Sequence, residues 1–152
     1  MRYHVIAVGA LKRGFYADGV AFYAKRLRAF GKLELTQVKE GRARDPEEVK
    51  RLESAELLRL AQGHKVLLDE GGKLFSSVAL ADHVAALELR GVSSLSLLVG
   101  GAGGHSSDLK KSADETWSLS PLTLPHDLAR LVLLEQLYRL ETLRAGHPYH
   151  RE

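Results

Sequence analysis

Leu95-Ser96-Leu97-Leu98-Val99-Gly100-Gly101-Ala102-Gly103-Gly104 is the stretch on which the fold turns. Its first half is a short, nearly continuous apolar run, the pattern of a strand buried on both faces. Its second half places four glycines in five positions, where a backbone turns sharply or lets a ligand come close. A buried strand that ends in glycine suits an open α/β sheet, whose ligands bind beyond the carboxyl ends of the strands.

The flanking sequence repeats this alternation of strand and helix. Residues 3–8 are apolar and β-branched and end at Gly9. Residues 33–38 alternate apolar and polar. Val66-Leu67-Leu68-Asp69 reads as a third strand that stops at Gly71-Gly72, and residues 116–119 as a fifth. Helical patterns fill the intervals. Residues 15–30 carry Val20, Phe22, Tyr23, Leu27 and Phe30 at helical spacing. Asp45 and Pro46 supply an N-cap and a first-turn proline for a helix to residue 60. Ser76 or Ser77 caps the next, a short one lies near 107–113, and the last runs from Pro125 until Gly146 stops it. The order predicts an α/β domain over residues 1–152, with a mainly parallel sheet covered by helices on both faces.

Composition narrows the function classes. The chain has 152 residues, 45% hydrophobic and 27% charged, as in an ordinary globular domain. It has no cysteine, which excludes disulfides, thiol nucleophiles and thiolate zinc sites. No apolar run approaches the roughly 20 residues of a membrane span. The expected location is cytoplasmic, without a membrane. A net charge of +3 permits nucleic-acid binding without demanding it. The seven histidines show no metal-ligand spacing, so no metal is expected.

Three strand ends are candidate ligand positions: Leu68-Asp69, the glycine cluster, and Leu119-Ser120-Pro121-Leu122-Thr123-Leu124. The glycines do not match a dinucleotide fingerprint, because position 106 is serine, and they fit a ligand loop and a plain turn equally. The third segment is odd, being loop-like yet apolar. It reads either as a platform for a flat ligand such as an adenine ring or as a connection buried under the last helix. That last helix is apolar around much of its circumference, which predicts a two-fold homodimer.

Five segments in this order resemble one family: Leu97-Leu98-Val99-Gly100-Gly101, Trp117-Ser118-Leu119-Ser120, Leu122-Thr123-Leu124-Pro125-His126, Glu135-Gln136-Leu137-Tyr138-Arg139 and the tail His147-Pro148-Tyr149-His150-Arg151-Glu152. The family is that of the 23S rRNA pseudouridine N3-methyltransferases, the smallest SPOUT-class enzymes. The resemblance spans essentially the whole chain. It implies a C-terminal trefoil knot that builds a site for S-adenosylmethionine, with cofactor contacts on Leu68, Gly100, Leu119, Ser120, Pro121, Leu122, Thr123 and Leu124. It implies methylation of N3 of a pseudouridine in 23S rRNA on the assembled ribosome, by a dimer in which one subunit holds cofactor and the other helps position RNA. In the tail it implies catalytic roles. Arg151 would hold a phosphate or a developing anion, Tyr149 the base, and His150 would accept a proton. Where some relatives carry proline and an acid after the paired glycines, this chain has Ala102 and Gly103. Pro121 withholds one amide, which leaves Leu122 or Leu124 to contact adenine. The competing readings are a knotted methyltransferase acting on another RNA such as tRNA, and a non-catalytic ribosome-binding module.

Overall fold

The computed structural model describes residues 1–151; Glu152 and the side chains of His150 and Arg151 lie outside the described part. Eleven elements follow in the order β1 (Arg2–Val8), α1 (Phe15–Leu27), β2 (Lys32–Val38), α2 (Pro46–Leu60), β3 (His64–Leu74), α3 (Ser77–Leu89), β4 (Ser94–Val99), α4 (Ser107–Ser112), β5 (Glu115–Ser118), α5 (His126–Ala145) and a closing 3-10 turn (Pro148–Arg151). The strands form one five-stranded sheet ordered β2-β1-β4-β3-β5. Every pairing in it is parallel.

Side chains alternate across this sheet, so each strand feeds two cores. Tyr3, Val5, Ala7, Val66, Leu95, Leu97 and Val99 point to one face and pack with α1, α3 and α5. Ile6, Val8, Leu67 and Leu98 point to the other and meet Leu57 of α2 and Leu109 of α4. Helices therefore cover both faces, as the apolar runs of β1 and β4 require. Local chemistry sets the helix starts. Asp45 accepts the Glu47 N–H at 3.0 Å, Ser76 that of Ala79 at 3.1 Å and Ser106 that of Leu109 at 3.2 Å.

One expectation needs correction. β3 does not stop at Gly71-Gly72. It resumes, so that Leu68 and Lys73 both pair with Trp117 and residues 69–72 bulge out. Gly72 permits this, because a Cβ there would lie 2.7 Å from the Thr116 carbonyl. The apolar circumference of α5 is covered in part within the chain. Leu133, Leu134, Leu137 and Leu140 lie in the core with residues of α1 and α3, and Leu131 abuts Gly19 of α1. Leu128 and Val132 on the same helix are half-buried and belong to neither core.

Candidate active site

The carboxyl ends of β3, β4 and β5 open into one cleft of about 560 Å³, within the size range of small-molecule sites. Leu68 and Val99 are register partners at the ends of adjacent strands, which puts the first wall beside the second. After Val99 the chain makes a narrow turn closed by the Gly104 N–H on the Gly101 carbonyl at 3.0 Å. Gly104 has φ +78, a conformation that favours glycine. The third wall is the loop that leaves β5 and enters α5, from Ser118 to His126.

Seven of the eight expected cofactor residues line this cleft: Leu68, Gly100, Leu119, Ser120, Leu122, Thr123 and Leu124. Pro121 is not among the lining residues. The loop is half organised by its own serines. Ser118 Oγ donates to the Ser120 carbonyl at 3.0 Å, and Ser120 Oγ accepts the Leu122 N–H at 2.9 Å. Of the two amides expected to serve adenine, that of Leu122 is therefore already engaged, while Leu124 donates to no protein acceptor among the described residues. Leu122 is 72% exposed and belongs to neither core, so the loop is not the buried connection that was one of its two readings.

His105 also lines the cleft, and sequence reasoning missed it. Its ring is buried, with 5% exposure. Nε2 meets the Leu68 carbonyl at 3.1 Å. A carbonyl only accepts, so Nε2 carries the proton and Nδ1 presents a lone pair. Nδ1 is the one buried side-chain polar atom among the described residues with no partner. Burial lowers the imidazole pKa below its ordinary value, a nearby Lys110 adds to this, and the Leu68 carbonyl and Asp69 oppose it. The ring is a neutral acceptor poised at the wall. The only sequence signal was its place between the glycine turn and the Ser106 cap.

The tail lies elsewhere. Tyr149 is not a lining residue of the cleft. Its hydroxyl donates to Glu135 Oε1 at 3.1 Å, and its ring stands 4.6 Å from that of Tyr138. Glu135 is nine residues beyond His126 along α5, about 13 Å at the helical rise. Burial, Tyr23 and Glu135 all raise the Tyr149 pKa, so the phenol is a donor and not a base at neutral pH. The roles expected of His150 and Arg151 fall on side chains outside the described part.

A cleft at the carboxyl edge, walled by three consecutive strand ends, is shared by many α/β proteins; the sequence decides among them. The family model described as "Predicted SPOUT methyltransferase" matches residues 1–150. The chain belongs to the SPOUT methyltransferase family. This SPOUT chain is 46% identical over 152 residues to the ribosomal RNA large subunit methyltransferase H of Thermus thermophilus, covering 99% of both. It is 45% identical, again over 152 residues and 99% of both, to the protein of the same name from Gloeobacter violaceus. In fold it is similar to a probable methylase family protein from Haemophilus influenzae, with TM-score 0.53 at 10% identity over 97% of this chain and 69% of that one. Among the described residues of the SPOUT chain, no helix is long and apolar enough to cross a membrane, and no three His, Asp or Glu are grouped to hold a metal ion.

Proposed function

We propose that the protein is an S-adenosylmethionine-dependent methyltransferase that modifies large-subunit ribosomal RNA, at N3 of a pseudouridine on the assembled ribosome. The observation that carries the reading is the cleft itself. Residues picked as cofactor contacts from the resemblance, from three separate stretches of sequence, converge on one cavity. The relatives' names supply the substrate. The cofactor fits the donor set. Leu68, Leu119 and Leu122 offer apolar surface for a flat ring, and the Leu124 amide is free to donate.

S-adenosylmethionine supplies a methyl group already activated on a sulfonium. The chain's part is then to bind, to align and to take up a proton. The loop of residues 118–126 and the glycine turn would hold the cofactor between them, which is what aligning its methyl with the target nitrogen requires. A neutral imide nitrogen is a poor nucleophile, so its proton must leave as the new bond forms. Tyr149, His150 and Arg151 are the proposed groups at the base: Tyr149 as a hydrogen-bond donor, Arg151 on a phosphate or the developing anion, His150 as proton acceptor. Tyr149 is remote from its own chain's cleft, which supports a two-fold dimer in which the tail serves the partner's cleft. The proposed domain is the whole of residues 1–152, in the cytoplasm. Its cofactor site is proposed to be knotted, with the C-terminal segment threading through a loop.

The deciding experiment is transfer of labelled methyl to ribosomes from cells lacking the protein, with free rRNA and tRNA alongside. Label on one pseudouridine of the large subunit is expected. Label on tRNA alone would overturn the target, and cofactor binding without any transfer would overturn the enzyme reading for these substrates. Tyr149→Ala together with Arg151→Ala should lower turnover at least about a hundredfold, the scale of losing transition-state contacts, while calorimetric cofactor affinity holds.

A further inference from the structure

One of the chain's clusters of positive charge stands beside the cleft. Two loops leave the carboxyl edge there, residues 9–14 after β1 and residues 39–45 after β2. They carry Lys12, Arg13, Lys39, Arg42 and Arg44, all exposed, against two acids, Glu40 and Asp45. That excess is as large as the +3 of the whole chain. None of the five cations forms an ion pair among the described residues. The acids that open α2 do not offset them, because they are already taken: Glu47 by Lys50 at 3.1 Å and Glu48 by Arg51 at 2.5 Å.

The fold ties these loops to the cofactor cleft. β1 is the neighbour of β4 and β2 the next strand out, so the loops start about 5 and 10 Å from the glycine turn across the sheet. Glu53 bridges them. It is buried at 5% exposure. Its Oε2 accepts the Gly41 N–H at 2.9 Å, and its Oε1 lies 3.0 Å from where a Cβ on Gly101 would stand. Arg130 holds the first loop by donating to the Gly9 carbonyl at 2.8 Å. The cations thus stand on loops whose bases are tied to Glu53, beside Gly101, and to Arg130 of α5.

Exposed cations are ordinarily just solvated. Five without partners on adjoining loops of the edge that holds the cleft are the electrostatic footprint of a polyanion. We propose that Lys12, Arg13, Lys39, Arg42 and Arg44 form the phosphate-docking surface for the RNA substrate, centred on the 39–45 loop. The inference rests on the ribosomal RNA reading above and adds where that RNA is held. Such contacts fix the register of the RNA backbone and carry no base specificity.

The test compares K39Q/R42Q/R44Q with R2Q/K32Q/R90Q, which removes the same charge from exposed residues at the opposite edge. Binding to purified large ribosomal subunits from cells lacking the protein is titrated between about 50 and 200 mM salt, with S-adenosylmethionine affinity measured by calorimetry. The first variant should bind subunits at least about tenfold more weakly at low salt, with a logarithmic salt slope flatter by about two. Its cofactor affinity should stay within twofold of wild type. The second variant should keep the wild-type slope. A K39Q/R42Q/R44Q protein that binds like wild type, or an equal loss in both variants, overturns the proposal. A wild-type protein that neither binds nor methylates the subunits overturns the ribosomal reading along with it.

Discussion

At the amino edge of the sheet, Glu115 takes N–H donors from His64 at 2.5 Å, His83 at 2.6 Å and Trp117 at 3.0 Å. At the carboxyl edge, His105 has one nitrogen bonded and the other without any partner. The contrast extends along both edges. On the amino side, Lys65 N–H donates to Asp114 at 2.7 Å and Asp114 N–H returns to the Lys65 carbonyl at 2.9 Å. Ser96 and Gln62 exchange bonds at 2.6 and 2.9 Å. Tyr3 donates to Glu141, which Arg144 also engages. On the carboxyl side stand an idle imidazole nitrogen and a free loop amide. Buried polar groups are normally satisfied. Where one is not, as at His105 Nδ1, it marks a place to look for a ligand. The amino edge spends its polar groups on the fold, and the carboxyl edge keeps its own for ligands.

The largest expected effect tests this division directly. Gly100→Val places a side chain on the cleft wall, 3.1 Å from His105 Cε1 and 3.2 Å from the Gly104 carbonyl oxygen at its first carbon. Cofactor affinity should fall at least about a hundredfold, near 2.7 kcal/mol. The melting temperature should move only a few degrees, because the turn above it is built of glycine and alanine. Calorimetry and a thermal melt on one sample decide it. Unfolding in step with lost binding would mean that the carboxyl edge too is structural.

Much of this was legible beforehand because its causes are local. Asp45-Pro46 and Ser76 announce helix starts through side chains that reach only two or three residues. The apolar β1 and β4 announce central, doubly covered strands, and the pairing order puts both inside the sheet. What was not legible depends on residues far apart in the chain. The resumption of β3 past Gly72 is set by the close approach of Thr116, 44 positions later. The apolar girth of α5 reads the same whether a partner subunit or α1 and α3 of the same chain cover it. The departure of Tyr149 from the cleft follows from how far the tail runs back along α5, and His105 looked like any histidine in a loop.

Next in size is the amino edge. Burial alone would raise the Glu115 carboxyl pKa, but the donors Trp117, His64 and His83 outweigh it and hold the group below the usual carboxylate range. A carboxyl depressed in the folded state binds fewer protons there than in the unfolded chain. Its contribution is therefore complete above the ordinary carboxylate pKa and is lost as pH falls through the lowered folded value. Glu115→Gln should cost about 1–3 kcal/mol near neutral pH, the scale of hydrogen bonds to a charged group, and leave cofactor affinity unchanged. Wild-type and variant stabilities should converge in acid. A constant gap from neutral to acid pH would show that packing, not the charge, matters there.

The smallest effect has the most to say about the carboxyl edge. His105 is buried and its pKa is lowered, so between that value and the ordinary histidine pKa of about 6.5 the unfolded chain binds more protons than the folded one. Stability should decline as pH drops below about 6.5 and level off under the folded value. His105→Gln keeps an N–H donor for the Leu68 carbonyl but cannot titrate, so the difference between its melts and those of the wild type isolates this one ring. Cofactor sharpens the comparison. If Nδ1 accepts a donor from the bound molecule, protonating it removes the lone pair, and wild-type affinity should weaken on acidification while that of the glutamine variant stays flat. Parallel affinity curves for the two proteins would leave the imidazole as a pin between β3 and the glycine turn, and the unpaired nitrogen as a cost of the fold that no ligand recovers.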